Sequence, residues 1–169
     1  MASKKGIIIT AIILAAITGA SFMIWQIPTD LEMTVVVSDF ESHIVGIDER
    51  FKIISNALDE SFEEMINSEI TPNEYISIAE ISSTQINSQI IELVESEATD
   101  EWLDSYLNSL ESLRAYNSYI RETIVLANLL NDDFTMSDKE DVLTKIYLLK
   151  QESIDYGQMS VSTRPWVKY

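Results

Sequence analysis

The chain has 169 residues, 46% of them apolar, with 28 acidic against 11 basic side chains and a formal charge of −17. That length holds one ordinary domain plus an extra segment, and that apolar share is too high for intrinsic disorder. The charge repels phosphate backbones and excludes nucleic acid as a partner, zero cysteines exclude disulfides and thiolate chemistry, and a single histidine excludes any site that needs two.

Lys4 and Lys5 precede an uncharged apolar run from Gly6 to Trp25, with Pro28 three residues beyond it. Twenty helical residues rise about 30 Å, the thickness of a bilayer's hydrocarbon core. Trp25 falls where an interfacial aromatic belongs, and every acidic residue lies after the run, from Asp30 onward. The expected plan is a cytoplasmic N-terminus over 1–5, a transmembrane helix over 6–27 anchored by Lys4, Lys5 and Trp25, and a cell-membrane location with the remainder extracytoplasmic. The alternative is a signal peptide cleaved after Ala20, although the run exceeds the usual length of a signal core. Both readings export the rest of the chain.

Beyond a linker over 28–37, the first exported helix is expected from near Ser38 to near Ile70. Phe40, Ile44, Ile47, Phe51, Ile54, Leu58, Phe62 and Met65 recur every three or four residues and share one face. Ser38 and Glu41 are spaced as a capping box. Thr71-Pro72-Asn73-Glu74 is a second start signal, opening a helix through Tyr75, Ile78, Ala79, Ile86, Ile90 and Leu93 to about Glu97. Thr99 before Asp100 and Glu101 marks a third start, with Leu103, Tyr106, Leu110, Leu113, Asn117, Ile120, Ile124 and Ala127 as its face. The fourth is expected to begin at a Ser137/Glu140 capping box and to stop at Gly157, with Val142, Leu143, Ile146, Leu149 and Tyr156 inward.

Four amphipathic helices on short links pack antiparallel. The fold class is therefore all-α: an N-terminal transmembrane helix, then an up-down-up-down antiparallel four-helix bundle over 38–157 and a tail over 158–169. The tail's Arg164, Trp166, Lys168 and Tyr169 suit a membrane interface.

No catalytic, cofactor or metal residues are expected. His43 and Asp39, one turn apart, read as a surface pair, and one histidine does not meet the ligand set of a di-iron bundle. The acidic clusters Asp59-Glu60 with Glu63-Glu64, and Asp132-Asp133 with Asp138, Glu140 and Asp141, lack the spacing and central glycine of a calcium loop and read as solvated faces. Asn117 interrupts the apolar face of the third helix at a height where the second carries Ser82, Ser83, Thr84, Gln85, Asn87, Ser88 and Gln89, so a polar layer is expected there, with Ser82, Gln85 and Asn117 as its candidate members. It either fixes register or binds a small polar ligand. Trp102, Tyr116 and Tyr119 are candidate contacts for a partner protein.

The segments KKGIIITAIILAAITGASFMIW, VVVSDFESH and YNSYIRETIVLANLL together resemble small single-span helical accessory subunits of archaeal ammonia monooxygenase. The resemblance implies a non-enzymatic chain that packs against larger membrane subunits and carries no ligand of the enzyme's metal. The alternative function is an extracytoplasmic ligand-sensing bundle acting through a partner.

Overall fold

The computed structural model describes residues 37–131 and 136–165, with side chains from 37 to 131 and from 140 to 165. The proposed span over 6–27, its Lys4, Lys5 and Trp25, and the tail residues 166–169 lie outside the described residues. Within them the chain is all-helical, without a strand: α1 Phe40–Ile66, α2 Pro72–Glu95, α3 Leu103–Asn131 and α4 Met136–Ser162.

The ends of these helices are set by local chemistry. Asp39, not Ser38, caps α1: its carboxylate accepts from the Ser42 amide at 3.0 Å and the Ser42 hydroxyl at 2.7 Å. A charged acceptor is the stronger partner for free helix amides, so the helix starts one residue later than the Ser38/Glu41 spacing implies. Its other end comes at Ile66, four residues before Ile70, in a Schellman turn. Ser68 takes the left-handed conformation (φ 63°), while the Glu69 amide reaches the Glu64 carbonyl and the Ser68 amide that of Met65.

Thr71 and Glu74 form the expected capping box of α2 with Pro72 in the first turn. Substituting alanine at Thr71 is expected to lower unfolding stability by about 1 kcal/mol, measured by chemical denaturation. The helix ends at Glu95, two residues early, with Glu97 left-handed (φ 42°). Thr99 does not start α3. Its carbonyl instead accepts from the Trp102 amide at 2.8 Å, closing a turn that delays the helix to Leu103. The fourth helix begins at Met136, before the Ser137 expected as its cap, and runs five residues past Gly157.

All eight residues of the α1 series are buried or half-buried, and Ile44, Ile47 and Leu58 are fully so. Ile78, Leu103 and Leu143, expected inward, are exposed; Leu103 and Leu143 stand on the walls of surface grooves and not in the core. Side-chain pairs give the helix directions. Tyr75 meets Thr123 and Asn73 meets Asn131 across α2 and α3, while Ser105 meets Ser160 and Ser112 meets Ser153 across α3 and α4, so consecutive helices run antiparallel.

The α3–α4 seam is built from small hydroxyls. Ser105 donates to the Ser160 carbonyl at 2.9 Å; Ser112 and Ser153 donate to each other's carbonyls at 2.8 and 2.9 Å. These pairs recur at seven-residue spacing, the period of a helical seam, and short side chains let two backbones approach closely. Gly157 belongs to this seam: a Cβ there would stand 3.3 Å from the Ser112 hydroxyl. Its lack of a side chain serves helix contact, which is why it does not end the helix.

Candidate functional site

His43 is held inward, not beside Asp39, whose carboxylate is occupied by Ser42 and is held below its usual range by that amide and hydroxyl. The imidazole stands between two other helices: Nε2 is 3.0 Å from Glu92 Oε1 on α2, and Nδ1 is 2.7 Å from the Tyr106 hydroxyl on α3. Arg50 closes the outer end, donating from Nη2 to both Glu92 oxygens at 2.8 and 2.7 Å. At the inner end the Tyr106 hydroxyl lies 3.3 Å from the Phe40 carbonyl, and its ring stacks on the imidazole with centroids 5.7 Å apart.

This line accommodates the imidazole in either charge state. When neutral, with Nε2–H donating to Glu92, Nδ1 accepts a hydrogen bond from the phenol O–H. When protonated, Nδ1–H donates to Tyr106, which turns its own proton to Phe40. The spacing is that of a hydroxyl, a base and an orienting carboxylate. The phenol, however, is a poor nucleophile: burial, with the charges of Asp39 and Glu92, pushes it up to about 12. The arrangement ties α1, α2 and α3 together through one hydrogen-bonded line.

Trp102, Tyr116 and Tyr119, expected as exposed partner contacts, are buried in the core. Aromatic rings at an inward helical phase bury more area than they lose by hiding one hydroxyl, provided that hydroxyl is bonded. Asp59 supplies the bond. Its Oδ1 accepts from Tyr119 at 2.9 Å and Tyr116 at 3.3 Å, and its Oδ2 meets Lys150 at 2.9 Å. Tyr116 also donates to the Ser55 carbonyl, and Lys150 lies 5.6 Å from the Tyr119 ring centroid. Asp59 is thus a shared acceptor rather than part of a solvated acidic face.

Burial, reinforced by Asp59, holds Tyr116 and Tyr119 far above the ordinary phenol range, and burial does the same for Tyr75. Phenols of the unfolded chain ionise near pH 10. Above that pH the unfolded chain gives up protons the folded chain keeps, so stability that is intact below about pH 10 is lost as the pH rises further. In an alkaline titration Tyr75, Tyr106, Tyr116 and Tyr119 are expected to ionise together with helix loss. Ionisation of any of these four while the helices persist would contradict this burial.

The polar layer exists with a different membership. Asn117 accepts from Ser83 at 2.6 Å and donates to Asn87 Oδ1 at 2.8 Å. Ser82 is buried, on the α2 seam it shares with Tyr75, Ala79, Ile86, Gln89 and Leu93, while Gln85 is exposed. Asn117 approaches α2 from the flank of that seam, so the residues one and five positions after Ser82 meet it. Below this layer, Gln85, Ser88, Gln89 and Glu92 face Arg50, Ile53 and Ile54 across a groove of about 380 Å³, and the buried Gln89 Oε1 has no partner.

Among the described residues no cluster of three or more His, Asp or Glu side chains is placed to hold a metal ion, and no helix is long and apolar enough to cross a membrane. Arg164 of the tail pairs with Asp48 on α1; burial raises the Asp48 carboxyl, and the guanidinium opposes that rise. Comparison with protein families, curated proteins and solved structures finds no match to this chain.

Sequence reasoning missed the His43–Glu92–Tyr106 line because its members are 49 and 63 residues apart from His43. The available signal was the phase of His43, which lies three residues after the α1 seam residue Phe40 and four before Ile47.

Proposed function

We propose that this chain is a non-enzymatic, membrane-anchored docking subunit: the 6–27 segment crosses the cell membrane, and an extracytoplasmic up-down-up-down helical bundle packs against larger membrane subunits. The resemblance to accessory subunits of archaeal ammonia monooxygenase makes that enzyme one candidate complex. The observation that carries the reading is the distribution of apolar surface. Polar groups with distinctive chemistry are engaged inside the bundle, whereas large apolar side chains stand in groups at its surface. One group is Val94, Leu103 and Leu107, around a groove of about 310 Å³ floored by Leu93 and Leu110. Another runs along α4. Grouped apolar surface of this kind marks contact with another protein or with lipid.

Two measurements on native membranes test the reading. Alkaline carbonate washing is expected to leave the full chain in the membrane fraction, and mild detergent is expected to extract it with companions of greater mass. Release by carbonate would refute the anchor, and a solitary chain in several mild detergents would refute the docking role.

A second reading, a ligand-sensing bundle acting through a partner, is favoured by the unpartnered Gln89 oxygen beside the α1–α2 groove. It requires a small hydrogen-bond donor that raises the melting temperature of the chain but not of a Gln89→Leu variant. The Asn117 layer does not supply such a site, since its amide is bonded on both sides.

A further inference from the structure

The fourth helix carries two parallel seams. Ile146, Ser153 and Ser160 are buried, Ser153 and Ser160 in direct contact with α3. One residue after each comes an exposed apolar side chain: Tyr147 at 68% exposure, Ile154 at 45% and Val161 at 58%, with Leu143 at 44% one turn before. Their spacing of four, seven and seven places them on one stripe of the helix, which extends over about 27 Å. At the Leu143 end the seam opens into a groove of about 590 Å³ between α1 and α4, walled by Phe62, Ile66, Leu143 and Tyr147 and floored by Tyr119 and Ile146.

Among the described side chains, the charges around this groove have one unanswered sign. In 58–66 and 140–150 the only cations are Lys145 and Lys150, and they pair with Glu122 and Asp59. Glu60, Glu63, Glu140 and Asp141 are exposed and have no cationic partner among the described residues. A second copy of a chain with charge −17 would bring the same carboxylates to the same groove.

Resting on the docking-subunit reading, we propose that this face receives an amphipathic helix of a different protein, its apolar stripe seated on Leu143, Tyr147, Ile154 and Val161 and its flanks supplying lysine or arginine to the rim carboxylates. Helix-in-groove recognition reads regularly spaced apolar anchors in this way, and opposite charge on the rim selects the partner and speeds encounter.

The test uses the full chain and two labelled synthetic helices of about 20 residues, both with leucine at the seam positions, one flanked by lysine and the other by glutamate. Fluorescence anisotropy is expected to show saturable one-to-one binding of the lysine helix and at least about tenfold weaker binding of the glutamate helix. Tyr147→Asp and Ile154→Asp, with circular dichroism confirming their helix content, are each expected to weaken binding about tenfold or more, and Ile81→Asp on α2 to leave it unchanged. Equal weakening by Ile81→Asp, absence of saturation, or a dimer in sedimentation that Tyr147→Asp dissociates would overturn the proposal. Should the Tyr147→Asp chain still co-purify from membranes with its companions, the α4 face is refuted and the docking role stands. Should the unaltered chain have no companions, the docking role itself fails.

Discussion

Substitution of leucine for Ser153 is expected to be the most damaging single change on α4. Ser153 is almost wholly buried on the α3–α4 seam, and it both donates to the Ser112 carbonyl and accepts the Ser112 hydroxyl at its own carbonyl. Leucine adds carbons where there is no space and forces the backbones apart. Overpacking of this kind costs about 1–3 kcal/mol, and each lost hydrogen bond about 1 kcal/mol more. The expected total of about 4 kcal/mol lowers the thermal midpoint by roughly 15 °C in a domain of this size. Ser153→Ala, which keeps the close approach and loses one bond, is expected to cost about 1 kcal/mol. Equal midpoints for the two variants would show that the helices are not in close contact at this position.

Removal of the Asp59 carboxylate has the next largest effect. Alanine there leaves the Tyr119 hydroxyl without an acceptor, and Tyr119 is among the most buried side chains of the bundle. Tyr116 keeps the Ser55 carbonyl, and Lys150, partly exposed, turns to water. A buried hydroxyl stripped of its partner costs about 1–3 kcal/mol, and loss of the surrounding contacts brings the expected destabilisation to about 3 kcal/mol. Asp59→Asn, which still offers an oxygen, is expected to lose about 1 kcal/mol. Tyr119→Phe in the Asp59→Ala background is expected to recover part of the loss, because the unpaired hydroxyl is then gone. Denaturant titration of these three variants and of Tyr119→Phe alone measures each of these differences. Strict additivity would mean that Asp59 and Tyr119 do not share a bond.

The two sites also show what the amino-acid pattern carries and what it hides. The α1 series from Phe40 to Met65 specifies its buried face, because apolar burial is periodic and local order determines which side chains share a face. The Thr71/Glu74 box specifies a helix start, because both partners lie within one turn. The α3–α4 seam is illegible for the opposite reason. Ser105, Ser112, Ser153 and Ser160 are polar residues that a hydrophobic period does not count, and their hydroxyls find partners only after two distant helices align. Gly157 reads as a stop for the same reason, since without α3 beside it nothing distinguishes a helix end from a close contact. Tyr116 and Tyr119 read as surface anchors because the acceptor that makes their burial tolerable, Asp59, lies 57 and 60 residues away.

The layer through Asn117 is legible at the right height but not in its α2 membership. The polar stretch of α2 includes the true partners Ser83 and Asn87, but each position along a helix rotates a side chain by about 100°, so singling out Ser82 and Gln85 misses the phase that meets Asn117. His43 shows the same limit. A carboxylate four residues before it is a nearer partner in sequence than Glu92, yet Asp39 is already committed to the helix cap.

Site-specific photo-crosslinking in living cells tests the docking account most directly, with a photoreactive phenylalanine at Leu107 on one apolar group and at Tyr147 on the other, and at Thr84, on the polar exposed side of α2, as a control. The account predicts discrete products from positions 107 and 147 whose mass exceeds this 19.2 kDa chain by that of a different membrane protein, and none from position 84. Free chain alone at both positions, or only a product of twice the chain's mass, would contradict it.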